Sequence, residues 1–174
     1  MLNIGSGQAP MVGWENADNS PLAYADHRFD LLSEWPLPDN TYDTVAAIHV
    51  LEHFTGEELF HILWETGRVL KRGGGLVVVV PYGMHAYHYS NPFHKQMWTE
   101  GTPSHFNRAL YEQENTQSTR ANQGQKLRCW SVSNLTFLPS KEWINKSSEE
   151  IEYAMKHYLN VIMEMSFVMI LEEK

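Results

Sequence analysis

A run of five apolar residues, Leu76–Val80 (LVVVV), places the strongest constraint on what this chain can fold into. A strand that is apolar on both faces belongs in the middle of a sheet covered on both sides. A second short apolar run, Asp43–His49, predicts another buried strand. Between them, Thr55 and Glu58 form the T-x-x-E pattern of a capping box, and apolar residues follow at helical spacing. This order predicts a parallel, right-handed βαβ unit.

The end of that helix is predicted from three consecutive glycines at residues 73–75, which we expect to stop it. Lys71 and Arg72 carry positive charges that suit the negative end of the helix dipole.

The C-terminal part returns to apolar periodicity after a polar stretch. It predicts a strand near residues 127–137, a helix near 148–158 and a strand near 160–171. The last strand alternates apolar residues with a more polar face, which suits a position near the edge of the sheet. We therefore predict an α/β fold built on a parallel sheet, with the last strand near its edge.

Length and composition narrow the class of protein. The chain has 174 residues, of which 43% are hydrophobic and 20% charged, as expected for one globular domain. A net charge of −8 argues against a general nucleic-acid binder. One cysteine excludes an internal disulfide and favours a reducing, cytoplasmic setting. We also expect no secretory signal and no membrane span.

Domain organisation is predicted to be simple, with a single domain over residues 1–174. Within it, residues 1–81 alternate short apolar runs with turn residues and are expected to bind a cofactor. Residues 82–130 are polar, aromatic and rich in histidine, and residues 131–174 supply the last strands and a helix.

A glycine turn at residues 5–7 (GSG) follows the short apolar start Leu2–Ile4. Glycines at such a turn let the backbone approach a ligand closely. Pro10 stands where the dinucleotide-binding fingerprint has its third glycine, so the sequence argues against NAD as the ligand of this turn. Asp18 ends the next extended stretch, where a carboxylate can bind ribose hydroxyls. The sequence DNSP that begins at Asp18 is also good turn chemistry, so a plain turn aspartate remains an alternative.

Five segments in this order resemble a class I S-adenosylmethionine-dependent methyltransferase, closest to its small type-eleven-like branch. They are LNIGSG, GWENAD, DLLSEWPLPDNTYD, IHVLEHF and RVLKRGGGLVVVVP. The resemblance covers roughly residues 1–81 and thins out towards residue 107. It implies an α/β, Rossmann-like, mostly parallel twisted sheet with a reversed C-terminal strand. It also implies S-adenosylmethionine as cofactor, S-adenosylhomocysteine as product, and methyl transfer by in-line displacement to an acceptor that the sequence does not identify.

The resemblance also implies a set of cofactor contacts. They are Asn3, Gly5, Ser6, Gly7, Asp18, Asp30, Leu31 and His49. The glycine loop would lie under the methionine and ribose part, and Asp18 would bind the ribose hydroxyls. Asp30 and Leu31 would read the adenine, and His49 would face both cofactor and substrate. Asn3 stands where the family usually has an acidic residue, so it can accept a hydrogen bond but carries no charge.

Two connections are shorter than the family pattern. Only a few residues separate Gly7 from Trp14, which leaves no room for the first helix, and Ser20–Phe29 is too short for a full second helix. We expect loops to replace helices on one face of the sheet. Apolar sheet surface exposed in this way usually finds a partner, which favours a homodimer.

The sequence H-x-x-E-H at residues 49–53 is also the inverted zincin pattern, which would make the protein a zinc metallohydrolase. That chemistry needs both histidines on one helix face. Here a strand runs into His49 and the helix cap comes only at Thr55. The motif is therefore expected to straddle a strand end and a loop.

The histidine-rich segment suggests an acceptor pocket. We take His49, then His85, His88 and His94, as ordered candidates for a general base. Residues 91–94 (NPFH) are similar to a short D-P-x-H signature of the resembling family. A metal site is the alternative, but no carboxylate lies between residues 84 and 99, so we predict no metal.

Two other expectations concern partners and activity. Residues 108–128 carry a few basic side chains and are expected to form a polar loop rather than a nucleic-acid site. A cofactor-binding module without catalysis is the alternative to an enzyme, because the trimmed helices and Asn3 would suit a protein that keeps the fold but not the reaction.

Overall fold

The computed structural model describes residues 1–106 and 130–172, and its strands form one seven-stranded sheet. The strands are β1 (Leu2–Ile4), β2 (Glu15–Asp18), β3 (His27–Arg28), β4 (Tyr42–Ile48), β5 (Leu70–Pro81), β6 (Trp130–Pro139) and β7 (Ile162–Leu171). The helices are α1 (Gly56–Val69), α2 (Ala86–Tyr89) and α3 (Ser148–His157), with 3₁₀ helices at Leu51–His53 and Thr102–Phe106.

The strand order is β3-β2-β1-β4-β5-β7-β6, which confirms the predicted Rossmann-like sheet. The first five strands run parallel, and β7 runs antiparallel to both of its neighbours. The order along the sheet reverses between β1 and β4. In open α/β sheets, ligands bind at this switch point, outside the carboxyl ends of the strands.

Helix α1 begins as predicted. Thr55 accepts a hydrogen bond from the Glu58 backbone N–H, and the Glu58 side chain accepts from that of Thr55, which completes the capping box. Ile62 and Leu63 are buried in the core beside Leu76, which lies on β5. The unit β4–α1–β5 is therefore the expected βαβ motif.

The predicted end of α1 was wrong. The helix ends at Val69, and the three glycines lie inside β5 rather than after the helix. Leu70 already pairs with Tyr42, and both are buried, so the strand begins at once. The ladder then shifts register between Tyr42 and Thr44, and Gly73 has a φ of 71° there. The glycines therefore accommodate an irregular strand.

The short connections contain no helix, as predicted. Turns join β1 to β2 and β2 to β3. Several apolar side chains of the sheet are only half-buried and alternate with the fully buried ones. They are Ile48, Val77, Val79, Val168 and Ile170.

The C-terminal elements also follow the predicted order. β6 begins at Trp130 in the described part of the chain, α3 ends at His157, and β7 lies one strand from the edge. Cys129 and the basic residues between 108 and 128 lie outside the described residues. Among the helices that are described, none has the length and apolarity required to cross a membrane.

The chain between β5 and β6 starts with a loop whose two ends are held together. Tyr82 forms a parallel bridge with Trp98, and the Gly83 N–H donates to the Trp98 carbonyl over 2.7 Å. Trp98 is 1% exposed and belongs to the core. Residues 83–97, which include most of the histidine-rich segment, therefore form a loop anchored at both ends.

Candidate cofactor and acceptor site

A cavity of about 220 Å³ opens at the carboxyl ends of four parallel strands. Gly5 follows β1, Asp18 ends β2, Phe29 follows β3 and His49 follows β4. The cavity is lined by Gly5, Asp18, Asn19, Phe29, Asp30, Leu31, His49, Val50, His53 and Phe54. A wider, shallower groove runs along α1, but no residue from a strand end lines it. The cavity is therefore the site that the topology of the sheet predicts.

The glycine turn brings backbone close to the cavity. Gly5 has a φ of 66°, and a Cβ on it would overlap the Val50 side chain. Both features require glycine at this position. The hydroxyl of Ser6 is buried and has no hydrogen-bond partner, and Ser6 does not line the cavity.

Asp18 has features of both roles that the sequence left open, a turn aspartate and a ligand-binding carboxylate. One carboxylate oxygen accepts from the Gly7 N–H over 2.8 Å, and the other accepts from the Ser20 N–H over 2.7 Å. The second bond is that of a turn aspartate. Asp18 also lines the cavity, and each of its oxygens keeps a lone pair for a ligand hydroxyl.

The opposite wall of the cavity comes from the loop after β3. The Asp30 carboxylate accepts from the Leu32 N–H over 2.9 Å. Leu31 is 7% exposed, and its carbonyl accepts from the Trp35 indole N–H. This wall thus offers one carboxylate and apolar surface, held in place by the buried Trp35.

His49 lies just after the carboxyl end of β4, and its ring lies between two carboxylates. Its φ is 54°, and its N–H donates to the Val79 carbonyl, which fixes the turn out of the strand. Its Nδ1 lies 3.6 Å from Glu52 Oε1, and its Nε2 lies 3.3 Å from Glu164 Oε1. The facing Glu52 carboxylate raises the pKa of His49, and partial burial opposes this rise.

The H-x-x-E-H motif does straddle two elements, as predicted. β4 ends at Ile48, and only Leu51–His53 are helical, in a single 3₁₀ turn. His49 and His53 therefore do not share one helix face, and the zincin arrangement is not formed.

Glu52 is instead the centre of a group that we call the histidine cluster, formed by Glu52, His53, His88 and His94. The rings of His53 and His94 lie 4.9 Å apart, and those of His88 and His94 lie 5.2 Å apart. Glu52 is 1% exposed, and its Oε2 has no hydrogen-bond partner. The Glu52 carbonyl accepts from the N–H groups of residues 95 and 96, which holds the loop against the 3₁₀ turn.

The other predicted residues have different surroundings. His85 is the N-cap of α2, where its side chain accepts from the Tyr87 N–H. Burial lowers the pKa of His88, a cluster member that does not line the cavity. Asn3 is buried and donates to the Asn16 side chain over 3.0 Å, away from the cavity lining.

Sequence reasoning missed two residues of the site. His53 lines the cavity and also belongs to the histidine cluster. Glu52 lies in the H-x-x-E-H motif, outside the histidine-rich segment, so the sequence indicated no carboxylate beside those histidines. The separation of 42 positions between Glu52 and His94 carries no local pattern that could have joined them.

Comparisons with known proteins agree with this geometry. A family model described as a methyltransferase domain matches residues 3–78. A SAM-dependent methyltransferase structure from Archaeoglobus fulgidus is 18% identical, with a TM-score of 0.65 over 97% of this chain and 84% of that one. No curated protein sequence matches the chain.

Two further solved structures are similar. A SAM-dependent methyltransferase from Aquifex aeolicus is 14% identical, with a TM-score of 0.55 over 98% of this chain and 80% of that one. A chain from the complex of the Haloferax volcanii Trm112 methyltransferase activator with a methyltransferase is 14% identical, with a TM-score of 0.60 over 99% of this chain and 82% of that one. At these identities the structures show the fold.

The fold, the cavity at the switch point and the family match over residues 3–78 together support a class I S-adenosylmethionine-dependent methyltransferase. The family model matches the N-terminal part of the chain, and the reaction of the matched family is methyl transfer from S-adenosylmethionine.

Proposed function

We propose that S-adenosylmethionine binds in the cavity at the ends of β1 to β4, and that the methyl acceptor approaches from the side of the histidine-rich loop. The convergence of four strand ends on one cavity carries this proposal. Two cavity residues, His49 and His53, come from the turn that contacts the loop, so the two sides of the site adjoin there.

The residues of the cavity fit the cofactor. Asp18 keeps lone pairs for two ribose hydroxyls, and Asp30 with Leu31 offers a carboxylate and an apolar surface for adenine. Gly5 allows close backbone approach. When bound, the cofactor supplies an activated methyl group on a sulfonium, which is a good leaving group. The protein then mainly has to position the acceptor and exclude water.

His49 is our candidate for holding or accepting the acceptor's proton. Of the four histidines predicted from the sequence, it is the one that lines the cavity. Its contacts with Glu52 and Glu164 orient the ring. His88 and His94 are buried in the cluster and would act on the acceptor only indirectly, and His85 has a structural role as a helix cap.

Thermal unfolding with S-adenosylhomocysteine tests the cofactor assignment. At about 100 times its dissociation constant a ligand adds roughly 2.7 kcal/mol. For a domain of this size we expect a rise in Tm of roughly 5–10 °C. No shift with millimolar S-adenosylhomocysteine, and a shift with NAD instead, would contradict the assignment.

The role of His49 is tested with an acceptor panel and S-adenosylmethionine labelled in its methyl group. His49→Ala should lower methyl transfer by about 100-fold or more if His49 acts as a general base. It should leave the affinity for S-adenosylhomocysteine within a few-fold. His61→Ala is the control, because His61 lies on α1 and contacts the Ser33 carbonyl. Equal rates for the two variants would remove His49 from the reaction.

A non-catalytic cofactor-binding module is the second candidate function. The observation that favours it is Asn3, whose neutral side chain pairs with Asn16 rather than lining the cavity. Intact S-adenosylhomocysteine binding without turnover on any acceptor of the panel would support it.

We also propose a cellular location, a class of acceptor to exclude, and an oligomeric state. The single cysteine favours a cytoplasmic location, and the net charge of −8 disfavours nucleic acid as the acceptor. The half-buried apolar side chains of β4, β5 and β7 described above support a homodimer. Light scattering on the purified protein measures its oligomeric state directly.

A further inference from the structure

Three members of the histidine cluster bring potential metal-binding atoms close together. Glu52, His53 and His94 each offer one donor atom, and these atoms all lie within 4.8 Å of one another. Zinc bonds to nitrogen and oxygen are about 2.0–2.2 Å long, so donors that share one tetrahedral ion lie roughly 3.4 Å apart. Small side-chain rotations would bring the three donors to that spacing.

Hydrogen bonds on the far side of both imidazoles fix their tautomers. The Nδ1 of His94 lies 2.9 Å from the His88 carbonyl oxygen, and the Nδ1 of His53 lies 3.3 Å from the Phe93 carbonyl oxygen. A carbonyl oxygen can only accept, so each Nδ1 carries the proton and donates. In a neutral imidazole the Nε2 then presents a lone pair. A backbone carbonyl on the second nitrogen is the usual support of a metal-bound histidine.

The lone pair of His94 faces another acceptor. Its Nε2 lies 4.0 Å from Glu52 Oε1, which is too long for a direct hydrogen bond. The side chains of His94 and Glu52 are 5% and 1% exposed. The other carboxylate oxygen, Oε2, is buried without a partner. His49 Nδ1 faces Oε1 over 3.6 Å, which leaves Oε2 as the unpartnered atom, and a buried polar atom without a partner is costly.

We infer that Glu52, His53 and His94 bind one divalent transition-metal ion. Two histidines and one carboxylate are a donor set used by catalytic Zn²⁺ sites and by non-haem Fe²⁺ sites. The ion joins the turn after β4 to the histidine-rich loop. Because His53 also lines the cavity, the ion adjoins the cofactor pocket. The carboxylate missing from the histidine-rich segment is supplied by Glu52.

Metal content and metal binding test this inference without any methyl-transfer assay. The full chain is purified without a polyhistidine tag and its metals are measured by mass spectrometry. We expect one Zn²⁺ or Fe²⁺ per chain, and the measurement distinguishes the two. Removing the metal with a chelator should lower Tm, and adding Zn²⁺ to the metal-free protein should restore it.

Variants then show whether these residues hold the ion. His53→Ala and His94→Ala should each weaken Zn²⁺ binding, measured by calorimetric titration, by about tenfold or more. His157→Ala is the control, because His157 lies at the end of α3 and contacts the Tyr153 carbonyl. His53 is only partly buried, so its variant serves if the His94 variant does not fold.

Three results would overturn the inference. The first is a purified protein that contains no metal and takes up no Zn²⁺ at micromolar concentrations. The second is a Zn²⁺ affinity that is unchanged in both His53→Ala and His94→Ala. The third is a loss of Zn²⁺ affinity in these variants that only equals the loss in His157→Ala. The proposed cofactor site would stand in each case, since S-adenosylhomocysteine binding is measured separately.

Discussion

Two buried glutamates, Glu65 on α1 and Glu52 just before α1, have opposite surroundings. Glu65 is 4% exposed and accepts from the Trp35 N–H over 2.8 Å and from the Arg68 guanidinium over 2.7 Å. Arg68 in turn donates to the Leu37 carbonyl. Glu52 is equally buried, but its Oε2 has no partner. The scaffold satisfies its buried charge completely, whereas the site leaves one that a ligand can satisfy.

The contrast separates residues that stabilise the fold from residues that are kept for binding. Burial alone would raise the pKa of Glu65, but the Arg68 guanidinium and the Trp35 N–H hold it below its ordinary value. A buried carboxylate oxygen without a hydrogen-bond partner costs stability and is retained only where something else depends on it. Changes at the two glutamates should therefore have different consequences.

The largest expected effect is on stability at Glu65. Glu65→Gln should lower the free energy of unfolding by about 3–5 kcal/mol, because it leaves a half-buried guanidinium without its main partner. Glu52→Gln has the same shape change but should cost less than about 1 kcal/mol in metal-free protein, since no hydrogen bond to the Glu52 carboxylate is lost. Urea unfolding with a chelator present compares the two variants. Equal costs would contradict the division between scaffold and site.

A smaller loss is expected at Gly5, where scaffold packing and cofactor approach meet. Gly5→Ala should cost about 2–3 kcal/mol, because an added Cβ would both strain a positive φ and overlap Val50. Gly13→Ala is the matched control, since Gly13 has a φ of 81° but no atom within 4 Å of an added Cβ. It should cost about 1 kcal/mol. If the two alanines cost the same, contact with Val50 contributes nothing.

Asp18 should show the opposite balance, with binding affected more than folding. Asp18→Asn keeps an oxygen for one backbone N–H but loses the charge that strengthens bonds to ribose hydroxyls. We expect the affinity for S-adenosylhomocysteine to fall about tenfold, which corresponds to about 1.4 kcal/mol. Asp43→Asn removes an exposed carboxylate that pairs with Lys71, and calorimetry should find its affinity unchanged. An equal loss in both variants would argue against a ribose contact.

The smallest effect is the acid dependence of stability. Because the pKa of Glu65 is lowered on folding, its stabilising contribution is complete above its ordinary value of 4.5 and is lost as the pH falls through the folded value. The difference in unfolding free energy between wild type and Glu65→Gln should therefore shrink below pH 4.5. Urea midpoints measured from neutral to acid pH test this. A difference that stays constant would mean that Glu65 is not ionised in the fold.

The sequence predicted the elements that are set by local signals. The capping box at Thr55 and the apolar run of β5 are readable because their partners are close in the chain. The end of α1 could not be predicted, because the pairing of Leu70 with Tyr42 overrides the glycine signal. The histidine cluster escaped prediction for the same reason, since Glu52 and His94 meet only through the tertiary fold. His85 caps a short helix and does not line the cavity, and its role as a candidate base stays a prediction.

The loop of residues 83–97 has a consequence for how such a protein can diversify. Its ends are fixed by the bridge from Tyr82 to Trp98, so the distance between the two ends does not depend on the length of the loop. Doubling the length of such a loop costs only about 0.6 kcal/mol of closure entropy. Evolution can therefore exchange this loop for another of different length and chemistry while the strand ends that form the cavity stay unchanged.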